Sequence, residues 1–321
     1  MTKLGYQIPS FTYPGVDQTG LFDVVARQAK EADSSGFDTV LVMDHFYQLF
    51  MLGAPEDYML ECYTLLAGLA RETSNVRLSA LVTGNTYRNP AVLAKIVTTL
   101  DIVSNGRAQL GIGAGWFQQE HDSFGIEFGT FTDRFEKLEE ALQIIVPMLR
   151  GETVTLQGKH YQVNNAVNSP APISRIPVMI GGSGEQKTLR MVAQYADESN
   201  LTGTVEEIPR KLDALAAHCE RLGRDRSQIK VTKLLMVLVA PTMEQAEADL
   251  RSVAEAKGWN DAIIEMAKGV LIYGDPDTVG EKLQACMDTG IDGITMNLPA
   301  NGHIVDRIGL LGEIGLAATA G

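Results

Sequence analysis

Four short stretches of this 321-residue chain carry groups suited to chemistry. Asp44-His45 follows the apolar run 39–43 and sets a carboxylate beside an imidazole, a group that exchanges protons near neutral pH. Thr83 and Asn85 offer hydrogen bonds at the end of the run Arg77–Thr83. Gly111, Gly113 and Gly115 lead into Trp116, Gln119 and Glu120, and such glycines let backbone approach a flat ring or a phosphate closely. Gly181-Gly182-Ser183-Gly184 stands between an apolar run and a helical pattern that begins at Glu185. Free amides at a helix start favour an anion, so a phosphate suits that turn. A structural reading accompanies each stretch. Asp44 could simply cap the next segment, the residues after Thr83 could be a polar turn, Trp116 could be packing, and the glycines could serve turn geometry alone.

These residues share one trait, their position at the ends of strands. Short apolar runs alternate with helical patterns along the chain, and in parallel α/β proteins ligands bind at strand C-termini. Strands are predicted at Leu4–Ile8, Thr39–Met43, Arg77–Thr83, Ala108–Gly113, Val178–Ile180, Glu198–Leu201, Lys230–Val239 and Gly293–Asn297. Helices are predicted at Leu21–Ser35, Met59–Thr73, Ala91–Ser104, Arg134–Arg150, Glu185–Tyr195, Glu206–Leu222, Met243–Ala256 and Asp277–Thr289, with a Gly- and Ala-rich helix at the end. Thr153–Leu156 and His160–Val163 flank Gln157-Gly158-Lys159 as a small hairpin, so Gly151–Ile176 reads as an insertion over or beside the strand ends. Eight strands in parallel-type alternation predict a (β/α)8 TIM barrel, a single domain over 1–321, with a doubly wound open sheet as the other arrangement.

Composition narrows the partners. A net charge of −13 argues against nucleic acid or an anionic membrane, whose phosphates the chain would repel, but leaves room for a phosphate-bearing cofactor. Cys62, Cys219 and Cys286 show no CxxC spacing and suit a reducing compartment. The start MTKLGYQIP shows no signal peptide and no window approaches a membrane span, so a cytoplasmic, soluble protein is expected. Glu120-His121-Asp122 lacks metal-ligand spacing and no HExxH occurs, so no metal is expected. The glycines at 111–115 miss the GxGxxG dinucleotide pattern, and a GxSxG nucleophile elbow is absent.

Taken together, LGYQIP (4–9), VLVMDHF (40–46), LVTGNTYRNPAVLAK (81–95), LDIVSNGRAQLGIGAGWFQQEHDSFG (100–125), DRFEKLEEALQI (133–144), IPVMIGGSGEQKTLRMVAQYADESNL (176–201) and GDPDTVGEKLQACMDTGIDGITMNLP (274–299) resemble the luciferase-like monooxygenase superfamily. The likeness is nearest to its actinobacterial branch of F420-dependent oxidoreductases and runs nearly the whole chain. It implies a TIM barrel binding the deazaflavin F420 at the C-terminal face, a small-molecule substrate and a homodimer. It also implies a cis peptide at Ala80–Leu81 against the ring, Asp44 at the ring's polar edge, and Thr83 and Gln119 on the ring or ribityl chain. Gly113 and Gly115 would line the cofactor, and Gly181, Gly182, Ser183 and Gly184 would hold its phosphate. His45 matches the family's histidine beside the hydride-carrying carbon. The sugar-phosphate dehydrogenases of this branch place a carboxylate where this chain has Trp116, which points to a flatter or more apolar substrate. An FMN-dependent monooxygenase and a non-catalytic binding barrel remain the other readings.

Overall fold

The computed structural model describes residues 3–50 and 52–320. Met1, Thr2, Met51 and Gly321 of the expected single domain lie outside the described residues. The first half runs β1 (Leu4–Ile8), α1 (Leu21–Ser34), β2 (Thr39–Val42), α2 (Cys62–Glu72), β3 (Arg77–Ala80), β4 (Thr83–Gly84), α3 (Pro90–Val103), β5 (Leu110–Gly113), α4 (Gln118–Phe124) and α5 (Phe131–Leu149). A hairpin, β6 (Val154–Gln157) and β7 (Gln162–Ala166), is followed by β8 (Val178–Gly181), α6 (Thr188–Tyr195), β9 (Glu198–Leu201) and α7 (Ile208–Leu222). The remainder is β10 (Lys230–Val239), α8 (Met243–Lys257), α9 (Asp261–Val270), β11 (Ile272–Gly274), α10 (Pro276–Met287), β12 (Gly293–Asn297) and α11 (Arg307–Ala318).

Local chemistry explains the main boundaries. Pro90 begins α3 where its missing N–H costs nothing, and the Asn89 side chain accepts from the amides of Ala91 and Val92. Asn105 and Gly106, both at positive φ, end that helix. A reciprocal capping box between Thr130 and Asp133 starts α5 three residues before the predicted Arg134. Of the apolar stripe that the spacing predicts, Leu138, Leu142, Ile145 and Leu149 are buried, while Phe135 is only half-buried.

By contact density the chain forms two compact units, one of Val42–Phe46 with Glu61–Lys230, the other of the remaining described residues. In the first, parallel ladders run β4–β5–β8–β9, and α3, α5 and α6 supply the apolar cover. Its antiparallel hairpin is pinned by Glu140 of α5, whose carboxylate accepts from the amides of Lys159, His160 and Tyr161 at 2.8–2.9 Å. In the second, parallel ladders run β1–β12–β10–β11. There Leu238, Ala240, Ala246 and Leu250 form a buried cluster joined by Trp259, Ile264 and Tyr273.

Three expectations need correction. The run Arg77–Thr83 is not one strand: β3 ends at Ala80 and β4 begins at Thr83. The cis peptide lies at Leu81–Val82, not at Ala80–Leu81. The Leu81 amide still donates to Val42 O at 2.8 Å, so strand pairing persists one residue further than counting from Asn89-Pro90 suggested. Helix α6 begins at Thr188 rather than Glu185, because 185–187 form a turn closed by Leu189 N to Gly184 O. Helix α9 and strand β11 were not anticipated, since α9 buries no residue fully and β11 has only three residues.

Candidate active site

The end of β2 carries two adjacent side chains with different tasks. Asp44 is 2% exposed and receives both Arg88 guanidinium nitrogens, at 2.7 and 2.9 Å, together with the Gly84 amide at 3.0 Å. Burial holds its carboxyl above the ordinary carboxylate range, although the Arg88 hydrogen bonds pull it down. For Arg88, burial works against the charge, yet the bonds to Asp44 carry the guanidinium upward. Two short charge-assisted bonds and a backbone donor identify an ion pair, so Asp44 is a carboxylate. Arg88 also bonds Glu61 at 2.6 Å and lies over the Tyr63 ring, 4.9 Å from its centre. Tyr63 in turn bonds Thr83 Oγ1 at 2.6 Å. Asp44 and Thr83 are thus joined through Arg88 and Tyr63, and the bonds above engage both within the chain.

His45 points elsewhere. Its Nδ1 is 2.9 Å from Oε2 of Glu120, a fully buried carboxylate in the first turn of α4. The same oxygen accepts the Tyr87 hydroxyl, and Oε1 accepts the Phe46 amide at 2.5 Å. Burial, reinforced by Glu120, pushes the Tyr87 phenol up, which keeps it a donor. The imidazole meets Trp116 and Phe117 edge-on at 5.9 and 5.8 Å, and those two rings stack on each other at 5.1 Å. Trp116 is 55% exposed, so an aromatic wall stands open beside the histidine. Gln119 sits on the exposed face of α4, while His121 faces inward to Thr86 Oγ1 and Phe117 O at 2.7 and 2.9 Å.

The glycines owe their identity to Val82 as much as to any ligand. A Cβ on Gly113 would lie 2.9 Å from Val82 Cγ2, and one on Gly181 would lie 2.8 Å from Val82 Cγ1. Strand ends β5 and β8 therefore straddle the side chain that follows the cis bond. Gly115, at φ +82, would press a Cβ to 2.8 Å from Thr86 Oγ1. Gly181→Ala is expected to destabilise the protein by about 1–3 kcal/mol through overpacking. Denaturant titration checks this, and an unmoved midpoint would mean Val82 yields freely.

At the fourth stretch, Gly182 adopts φ +116 and its amide donates to Asn200 O at 3.0 Å. Ser183 Oγ meets Thr202 Oγ1 at 2.9 Å and Lys211 Nζ at 3.1 Å. Lys211 comes from α7, is 7% exposed at its side chain, and is paired with Glu207 at 2.9 Å. Its ammonium beside the glycine turn suits an anion, and no local sequence signal joins residue 211 to residue 183. Glu120, Tyr87, Arg88 and Lys211 are the residues that sequence reasoning missed. Only Glu120 left a trace, as an acidic group in a short helix after the strand glycines.

Asn85, directly after β4, is 1% exposed, and neither side-chain atom makes a well-formed hydrogen bond within the chain, although the Tyr161 hydroxyl interacts with it. A buried amide of this kind is a place for a ligand's polar edge. The trio Asp133, Glu136 and His160 brings three potential metal-ligand atoms within 4.8 Å among the described residues. Asp133 closes the α5 capping box and Lys159 sits 2.7 Å from Glu136, so these groups already have partners. A cleft of about 330 Å³ lies at the opposite end of β8, lined by Arg150, Arg175, Tyr195 and Asp197, and includes none of the residues above. Among the described residues no helix is long and apolar enough to cross a membrane.

The chain is 28% identical to the pyrimidine monooxygenase RutA of Acinetobacter baylyi, over 80% of its own length and 69% of that protein. It is 25% identical to the F420-dependent glucose-6-phosphate dehydrogenase of Amycolatopsis mediterranei, over 96% and 95%. The solved coenzyme F420-dependent tetrahydromethanopterin reductase of Methanopyrus kandleri superposes with a TM-score of 0.77 at 19% identity, covering 98% of this chain and 99% of that one. That likeness shows the fold, a TIM barrel, as the β/α alternation predicted. The family model described as luciferase-like monooxygenase matches residues 2–293, and the chain belongs to that family of oxidoreductases.

Proposed function

We propose that this protein is an F420-dependent oxidoreductase that moves a hydride between the deazaflavin and a small organic substrate. The observation that carries the reading is His45, held by a buried carboxylate beside an open aromatic wall, in a chain similar over 96% of its length to an F420-dependent dehydrogenase. The residues present fit the cofactor. Asn85 has amide capacity to spare for a polar ring edge, and the Gly181–Gly184 turn with Lys211 offers donors to a phosphate.

When bound, F420 supplies a carbon that carries the hydride; the chain supplies binding, orientation and proton handling. Hydride delivery to an unsaturated substrate leaves an anion, and His45 protonates it; in the reverse direction His45 accepts the proton. Trp116 and Phe117 hold the substrate's flat face beside His45. With an indole at the position where the sugar-phosphate enzymes of this branch carry a carboxylate, the substrate is flatter or more apolar than a sugar phosphate.

Similarity to a pyrimidine monooxygenase supports a second reading, an FMN-dependent monooxygenase. Titration of the protein with F420 and with FMN, followed by cofactor fluorescence, separates the two. Tight FMN binding without F420 binding would overturn the first. The phosphate placement has its own test. Gly182 holds a backbone conformation that L residues rarely adopt, so Gly182→Ala should weaken F420 binding about tenfold or more, given strain of roughly 1–3 kcal/mol. An unchanged Kd would place the phosphate elsewhere.

A further inference from the structure

Three of the groups around the buried Glu120 carboxylate constrain one another, and the identities of two of them limit what the third can be. The Phe46 amide can only donate, and it does so to Oε1. Tyr87 keeps its proton and donates to Oε2. Two fixed donors favour the ionised carboxylate, an acceptor at every lone pair. The group 2.9 Å away on Oε2 is His45 Nδ1, which must then carry hydrogen as well. One ring nitrogen is thereby committed to the protein and the other is not.

We propose that Glu120 is the positioning residue of His45. Through Nδ1 it holds the ring edge-on to Trp116 and Phe117 in the Nδ1–H tautomer, leaving Nε2 to exchange a proton with bound substrate. This rests on the role given to His45 above. The shape of the surroundings agrees. His45 is 13% exposed at its side chain and Glu120 is fully buried, so the anchored nitrogen faces protein. The neighbouring imidazole of His121 has both nitrogens engaged, by Thr86 and by a backbone carbonyl, and does not compete for the carboxylate.

Glu120→Gln preserves size and breaks the logic. An amide nitrogen facing Nδ1 donates, which forces the ring into the Nε2–H tautomer and removes its basic nitrogen from the substrate side. Two-bond proton–nitrogen correlation spectra of the cofactor-free protein read the tautomer directly at alkaline pH, where an imidazole is neutral. The His45 signals are identified by their loss in His45→Gln. In the wild type we expect hydrogen on Nδ1; in Glu120→Gln we expect it on Nε2. Single-turnover reduction of oxidised F420 by a panel of alcohol donors, the direction in which Nε2 accepts the proton, should slow about 10²–10⁴-fold, with F420 affinity within about twofold of wild type.

Hydrogen on Nε2 in the wild type overturns the proposal, whatever the activity. A tautomer change in Glu120→Gln with unaltered turnover upholds the positioning and instead refutes the proton role of His45. If Glu120→Gln fails to fold, the wild-type spectrum still decides. Tyr87→Phe, which leaves the carboxylate against Nδ1, then serves as the second variant and should retain the Nδ1–H signal. Loss of that signal would overturn the assignment.

Discussion

Replacing His45 by alanine should slow hydride transfer about 10²–10⁴-fold while leaving F420 affinity within a few-fold, because general acids and bases typically contribute that much. The imidazole stands at the end of β2 beside Trp116 and Phe117, within reach of whatever that aromatic wall holds. It also bonds the buried Glu120, so circular dichroism must show that the variant keeps its fold before rates are compared. Stopped-flow oxidation of reduced F420 measures the step itself. Equal rates in wild type and variant, at equal cofactor occupancy, would make His45 structural and hand the proton to water.

Replacing Arg88 by alanine should cost about 3–5 kcal/mol of stability, since it strands a buried carboxylate without its counter-ion. Asp44 is 1% exposed at its side chain and draws two of its hydrogen bonds from that guanidinium. Glu61 and the Tyr63 ring lose a partner in the same substitution. Removing the charge on both sides tests the cause: adding Asp44→Asn to Arg88→Met should recover part of the loss. Urea titration of the single and double variants reads the coupling. Should the double variant be no more stable than Arg88→Met alone, the loss comes from packing rather than from the unpaired charge.

The barrel class was legible in the sequence because its signals are local. Strand runs such as Thr39–Val42 are continuous and apolar, helix starts such as Asn89-Pro90 carry their own caps, and glycines at positive φ mark the stops. The same local signals put Asp44, His45, Thr83 and the glycine turns at strand ends. Boundaries failed where a single residue's conformation decided them. The cis bond after Leu81 and the turn at 185–187 leave hydrophobic periodicity unchanged, so no pattern in the chain announces them.

What the site residues do for one another was decided only in three dimensions. Asp44 and His45 are neighbours in sequence, yet one is locked to Arg88, 44 positions away, and the other to Glu120, 75 positions away. Gly113 and Gly181 look like ligand-approach glycines until Val82 is found packed against both. Lys211 reaches the Ser183 turn from helix α7. Amino-acid order determines which backbone segments bend, pair and bury. Which buried donor meets which acceptor depends on packing between segments distant in the chain, and unpaired buried charge is costly enough that only the assembled fold settles those pairings.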